Sequence, residues 1–99
     1  MDTEAMGAWI SGELQTSWPG ARLLPGTGLD GNYTWVIREG TQDFRLILGH
    51  HVMDNATSED VIHALEGGDW IERLQEDGCV LVTMVKNNVV LGGCPAAGQ

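Results

Sequence analysis

Three histidines are the side chains of this 99-residue sequence best suited to holding a metal ion. The alternating apolar pattern of residues 44–52 predicts a strand, in which the adjacent His50 and His51 point to opposite faces. A site would then need Asp54 and a residue of the next helix, such as His63, and no ligand spacing here matches a zinc pattern. We therefore expect no metal and no cofactor, and keep a small His-dependent metal protein as the minor alternative.

A glycine-rich motif, G-x-G-x-x-G, occupies residues 26–31. Nucleotide binding by this motif requires a strand before it and a helix after it, so that the helix N-terminus meets the pyrophosphate. Residues 33–38 alternate as a strand instead, so we interpret the motif as a loop between two strands. Since no serine or cysteine has a nearby histidine with an orienting acid, the sequence indicates a non-catalytic protein.

The two cysteines, Cys79 and Cys94, form neither a C-x-x-C pair nor a spaced disulfide framework. The N-terminus is acidic and lacks the basic start of a signal peptide, and no apolar run approaches the ~18 residues that a membrane span needs. These features predict a cytoplasmic protein. In that reducing compartment both thiols are expected to be free, with Cys79 in the core and Cys94 partly exposed.

The formal net charge is −9, from 14 acidic and 5 basic side chains. Neutralising nucleic-acid phosphates requires clustered Lys and Arg, and an anionic membrane surface also attracts bases, so the sequence argues against both as direct partners. A protein partner, and a basic one in particular, is compatible with this charge. The alternative is that the excess charge only keeps a small protein in solution.

The acids are concentrated between residues 54 and 77, where Arg73 is the only base. The predicted partner-binding patch is Asp54, Glu59, Asp60, Glu66, Asp69, Glu72, Glu76 and Asp77. One interpretation is an adaptor or chaperone-like protein-binding module. The other is an acidic decoy, or inhibitor, that occupies a basic nucleic-acid-binding protein.

Hydrophobic periodicity predicts one α+β domain over residues 1–94, followed by a disordered tail at 95–99. The element order is α-β-β-β-α-β-β, in which the second helical region is itself broken in two. A mostly antiparallel sheet with the helices packed on one face would bury every apolar stripe. The predicted elements are a helix at 3–17, strands at 21–24, 33–38 and 44–52, helices at 58–66 and 70–76, and strands at 79–85 and 89–91.

The helical region is predicted to break at Gly67-Gly68 because its two halves are out of phase. At ~100° per residue, the apolar residues of 61–65 and those of 70–74 would face opposite sides of one straight helix. Adjacent glycines can break the helix, and Asp69 can cap a new start.

Helices on one face of the sheet would leave apolar residues uncovered on the other. Val36 and Ile47 belong to that second face, and Trp18 lies beyond the end of the first helix, next to Pro19. These three are the predicted apolar interface residues, and an exposed apolar patch of this kind often marks an interface. The sequence therefore predicts a homodimer.

The element order and the acidity of residues 3–91 resemble the small acidic chaperones of bacterial type III secretion. The resemblance implies a homodimer that binds an extended segment of a partner protein. The final helix of that family has no counterpart here.

Overall fold

A computed structural model describes residues 1–94, and the predicted tail at 95–99 lies outside the described residues. The fold is α+β, with a mostly antiparallel six-stranded sheet, as predicted. None of the helices within the described residues is long and apolar enough to cross a membrane. The elements are α1 (Thr3–Ser17), β1 (Ala21–Leu23), β2 (Thr27–Leu29), β3 (Asn32–Glu39), β4 (Gln42–Leu48), α2 (His50–Asn55), α3 (Ser58–Gly67), α4 (Trp70–Asp77), β5 (Cys79–Val85) and β6 (Asn88–Gly92).

The strands lie in the order β1-β3-β4-β5-β6, and β2 also pairs with β3, beyond the end of β1. All the pairings are antiparallel except β4 with β5, which run parallel. Parallel neighbours need a long crossover connection. The helices α2, α3 and α4 form that crossover and place the acidic segment above the sheet.

The predicted strand at 44–52 is wrong beyond Leu48, because the chain turns there into the crossover. The amide of Gly49 donates to the Val82 carbonyl at 2.9 Å and continues the parallel ladder. His50 then begins α2, with Gly49 as its N-cap. The glycine-rich segment also differs from its prediction as a loop, since Thr27–Leu29 pairs with β3 as the short strand β2.

The core lies between the helices and one face of the sheet. The strands contribute alternate residues from that face, and every helix contributes buried residues against it. These core residues are almost completely buried. They include Met6, Ile10 and Leu14 of α1, Val52 of α2, Val61 and Leu65 of α3, Trp70 and Leu74 of α4, and Trp35, Ile37, Phe44, Leu46, Leu48, Val80 and Val82 of the sheet. The prediction of helices on one face is thus confirmed.

The predicted interruption at Gly67-Gly68 is confirmed, since α3 ends at Gly67 and α4 begins at Trp70. The predicted role of Asp69 is wrong. This residue is in the left-handed conformation, with φ of 51°, and its side chain makes no capping hydrogen bond. The change of axis therefore depends on the backbone of residues 67–69, whereas α3 has a true capping box between Thr57 and Asp60.

The two cysteines form a disulfide bond, which contradicts the prediction of free thiols. Their Cα atoms lie 5.8 Å apart, because β6 returns alongside β5 and brings Cys94 beside Cys79. The strand pairing is a tertiary contact, and the spacing of the cysteines in the sequence does not predict it. The cytoplasmic location remains a prediction from the sequence. The disulfide argues against it, because disulfides persist in oxidising compartments.

Candidate functional site

The helices carry most of the negative charge of the molecule. All eight residues of the predicted acidic patch are exposed, and they lie on α2, α3, α4 and the α3–α4 connection. The α1 segment adds Asp2, Glu4 and Glu13, so eleven of the 14 acids belong to this helical layer. Arg73 is its one base, which gives the layer a formal charge of −10.

The sheet and its turns have nearly balanced charge. Three acids, Asp30, Glu39 and Asp43, stand against four bases, Arg22, Arg38, Arg45 and Lys86, which leaves +1. The molecule is therefore strongly polarised, with one acidic half and one nearly neutral half. Sequence patterning revealed the acidic segment, but the polarity depends on the docking of α1 beside α3 and α4.

The predicted acids do not all converge, and part of the set lines one groove between α1 and the α3–α4 corner. This acidic groove has a volume of about 490 Å³. Its lining consists of four carboxylates, an apolar floor of three residues and two uncharged polar residues: Glu13, Glu66, Asp69 and Glu72, then Leu65, Trp70 and Ile71, with Ser17 and Gln75.

The floor of the acidic groove is held rigidly by aromatic packing. Trp70 is almost fully buried, and its ring lies 6.0 Å from that of Trp9 on α1. A carboxylate rim over an apolar floor suits a lysine or arginine side chain, which buries its alkyl stem and keeps its charged end among anions. Glu13 is the groove residue that the sequence analysis missed, because only the packing of α1 places it beside Glu66.

The remaining predicted acids lie elsewhere on the helical layer. Asp60 is already engaged, because its carboxylate accepts a hydrogen bond from the Thr57 amide at 3.0 Å. Asp60 also lines a second groove, with His63, beside the β5–β6 hairpin. Glu76 lies near the C-terminal end of α4, beside Arg73. These acids contribute to the long-range field rather than to the acidic groove.

The face of the sheet that points away from the helices, called the open face below, is largely apolar at its centre. Val36 and Ile47 are half-buried there, in the positions that the sequence predicts, and Leu81 lies beside Ile47 in the β4–β5 register. Three apolar side chains are highly exposed, and all of them belong to this face by register: Leu29 at 72%, Val85 at 54% and Val90 at 36%.

Arginines border the open face at the β1 end. Arg22 pairs with Arg38 across β1 and β3, and Arg45 lies opposite Val36 across β3 and β4. Arg38 is bound to Asp43, with Nε donating to the carboxylate at 2.7 Å, and this is the one ion pair within residues 1–94. That hydrogen bond and the accompanying charge hold the pKa of Asp43 below its ordinary value.

Trp18 does not belong to the open face, so its prediction as an interface residue is wrong. It is only 7% exposed, and its ring packs edge-on against Phe44 at 4.9 Å. Its Nε1–H donates to the Glu39 carboxylate, which satisfies the polar end of the ring. The chain after α1 folds back onto the sheet, and this tertiary contact is invisible in the helical periodicity.

The histidines form no metal site with the acids in the described part of the chain. His50 and His51 occupy the first turn of α2 instead of a strand, and their ring centroids lie 4.0 Å apart. His63 is on α3 and lines a different groove from the one that His50 and His51 line. Among residues 1–94, no group of three His, Cys, Asp or Glu side chains is placed to hold a metal ion.

No family model, curated protein or solved structure matches this chain. The resemblance to type III secretion chaperones therefore remains a prediction.

Proposed function

We propose that this domain is a non-catalytic protein-binding module whose acidic groove holds a basic segment of a partner protein. The observation that carries the proposal is the charge of −10 on the helical layer, together with four carboxylates around the floor made by Trp70 and Ile71. A field of one sign concentrated in a groove raises the local concentration of oppositely charged ligands. The apolar floor adds contact for the alkyl part of a lysine or arginine.

The same charge distribution supports a homodimer joined through the open faces. Two copies that approach with their helical layers repel one another, whereas the sheet halves carry only +1 each. The highly exposed apolar side chains lie on that nearly neutral side. Sheets pack face to face at about 10 Å, with apolar side chains interdigitating. Such a dimer leaves both acidic grooves free.

The partner is unidentified, so the binding test uses a fluorescein-labelled peptide of alternating lysine and leucine residues. The double variant Glu66→Gln, Glu72→Gln removes two rim carboxylates. The matched control, Glu59→Gln with Glu76→Gln, removes the same charge from exposed positions outside the rim. We expect the groove variant to bind the peptide about tenfold more weakly than the unmodified protein does. The control variant is expected to change the affinity for the peptide by about twofold or less.

Equal losses in the two variants would show that the peptide responds to net charge alone, and the groove proposal would be wrong. Binding is also expected to weaken between low salt and 0.3 M salt, because screening acts on exposed charges separated by more than ~6–10 Å. A peptide in which norleucine replaces lysine should not bind.

The dimer has its own test. Ile47→Lys places a charge at the centre of the open face, and Thr16→Lys adds the same charge to an exposed site on α1. Light scattering over a concentration series is expected to give a dimer mass for the unmodified protein and for the control, and a monomer mass for Ile47→Lys. A monomer for the unmodified protein throughout would exclude the dimer and leave the groove proposal standing.

A further inference from the structure

An open groove lies between the first half of α1 and the connection from β1 to β2, and it is separate from the acidic groove. Its volume is about 410 Å³. The side chains of β3 that point toward the helices form its floor. Its lining includes Glu4 and Gly7 of α1, Leu23 and Pro25 of the opposite wall, and Tyr33 and Trp35 of β3, and this space is called the Trp35 groove.

Trp35 provides the groove with a hydrogen-bond donor that has no acceptor. Among the four tryptophans, only Trp18 donates an indole hydrogen bond within the described residues. Trp35 is only 2% exposed, but water can reach its Nε1, because Asn32 Oδ1 is the one side-chain nitrogen or oxygen of residues 1–94 that is buried without a partner. A buried tryptophan usually finds a partner for its N–H. The free N–H therefore indicates a ligand that supplies an acceptor.

Gly7 leaves this donor uncovered. It lies in the interior of α1, where glycine lowers helix stability relative to alanine. A Cβ built at position 7 would lie 3.6 Å from Trp35 Nε1, which is an ordinary contact, so packing does not require a glycine here. An alanine would instead change access, because its methyl group would lie against the indole nitrogen at the edge of the groove.

Two glycines of the G-x-G-x-x-G segment position the other aromatic ring of the floor. A Cβ at Gly26 would overlap the Tyr33 ring, and one at Gly28 would lie 3.8 Å from it. The ring therefore packs against bare backbone, and it meets the Trp35 ring edge-on at 4.9 Å. This packing fixes the aromatic floor before a ligand arrives, and such pre-organisation lowers the entropic cost of binding.

The charge around the Trp35 N–H argues against an anion as its acceptor. Glu4 lines the groove, and the helical layer to which it belongs carries a formal charge of −10. The expected acceptor is an uncharged carbonyl oxygen, with apolar groups beside it to contact Leu23, Pro25 and Tyr33. A polyproline II segment offers both, because it has no internal hydrogen bonds and its carbonyls are free. Grooves lined by aromatic residues bind such segments.

We propose that the Trp35 groove binds a proline-rich segment of a partner protein in the polyproline II conformation. One main-chain carbonyl of the segment accepts the Trp35 Nε1–H, and proline rings pack against Tyr33 and Leu23. A lysine or arginine next to the prolines faces Glu4. The site does not depend on the acidic groove or on the proposed function.

The probe is an uncharged peptide of ten prolines, and a Gly-Ser peptide of the same length is the control. Binding is followed on the full chain by NMR of the indole N–H groups. Decaproline is expected to shift the Trp35 signal in a saturable manner and to leave the Trp18 signal unchanged, since Trp18 already has its acceptor. The Gly-Ser peptide, a flexible coil without rings, should not bind. An unresponsive Trp35 signal, or equal binding of the two peptides, would overturn the proposal.

Gly7→Ala and Gly12→Ala are a matched pair of variants, because both replace a glycine inside α1 and a Cβ at position 12 meets nothing within 4 Å. Both are expected to keep or raise Tm through helix propensity. Gly7→Ala is expected to bind decaproline about tenfold more weakly, and Gly12→Ala to bind it normally. Equal affinities of the two variants would overturn the proposal. If Gly7→Ala does not fold, the Trp35 signal of the unmodified protein still decides.

Two further measurements test the role of Glu4 and the separation from the acidic groove. Replacing the fifth proline by lysine should raise the affinity about threefold, and Glu4→Gln should remove this gain. The double variant Glu66→Gln, Glu72→Gln should bind decaproline normally. Loss of decaproline binding in that variant would place the peptide in the acidic groove and overturn the Trp35 site.

Discussion

Gly68, in the connection between α3 and α4, lies directly against Leu91 of the edge strand β6. A Cβ built at position 68 overlaps the Leu91 side chain and lies 3.1 Å from the Ala64 carbonyl oxygen, whereas one built at Gly67 meets nothing within 4 Å. The two adjacent glycines therefore have different roles. Gly68 is required by close packing, and Gly67 ends α3 in open space.

The first prediction separates these two glycines. Gly68→Ala should lower the free energy of unfolding by ~1–3 kcal/mol, because Leu91 has to move away from its packing position. Gly67→Ala should leave stability unchanged or raise it by up to ~1 kcal/mol, through helix propensity. Urea unfolding of both variants measures the difference. Equal effects of the two substitutions would contradict the packing argument.

The second prediction concerns the disulfide, which closes a loop with a sequence separation of 15. Cross-linking a loop of this size stabilises a protein by ~3 kcal/mol, chiefly through the unfolded chain. Cys94→Ser, or addition of a reductant, should therefore lower the free energy of unfolding by ~2–4 kcal/mol. Reductant should have no further effect on the Cys94→Ser variant. Two reactive thiols in the native, freshly purified protein would show that the bond does not form.

The third prediction tests the burial of Trp18. Trp18→Phe keeps most of the apolar contact with Phe44 but removes the Nε1–H donor to Glu39. It should destabilise the fold by ~1–2 kcal/mol, because the acceptor is a charged carboxylate. Glu39→Gln should cost less, since an amide oxygen still accepts. A double-mutant cycle between the two positions isolates their coupling, and a coupling of zero would exclude a stabilising bond.

The fourth prediction is a pH dependence at the β3–β4 hairpin. The hydrogen bond from Arg38 lowers the pKa of Asp43, so the folded state favours the carboxylate form. A carboxyl group whose pKa is lower in the folded state than in the unfolded state stabilises the fold at pH values above the unfolded-state pKa. That stabilisation is lost as the pH falls through the folded-state pKa. NMR titration should show Asp43 ionising below its ordinary range. In Arg38→Gln its pKa should return upward, and an unchanged value would exclude Arg38 as the cause.

The helix break and the sheet faces were accessible from the sequence because they depend on local periodicity. The opposed phases of residues 61–65 and 70–74 required a change of axis, and two glycines mark its position. Alternation in 33–38 likewise placed Val36 on the open face. Both patterns show which side of a single helix or strand is apolar. In the fold, these apolar sides are oriented by the requirement to bury them on the correct face of one sheet.

The misread features depend on contacts between distant segments. The run through His50 and Val52 alternates like a strand, and only the parallel pairing of β4 with β5 explains why the chain leaves the sheet after Leu48. Trp18 is buried because the chain returns over Phe44. In the candidate site, the eight acids of 54–77 are exposed, while Glu13 joins three of them in the acidic groove only through the packing of α1.

The parallel pairing of β4 with β5 also has a consequence for how the chain folds. The hairpins β3–β4 and β5–β6 close over short turns, so each can form early from neighbouring residues. The pairing of Arg45 with Cys79 brings together the two strands on either side of the whole helical crossover. Such non-local contacts form slowly, because the entropy cost of closing the loop comes before the strand pairing contributes any stability. We expect the transition state for folding to have two formed hairpins, and its rate-limiting event to be their docking through β4 and β5.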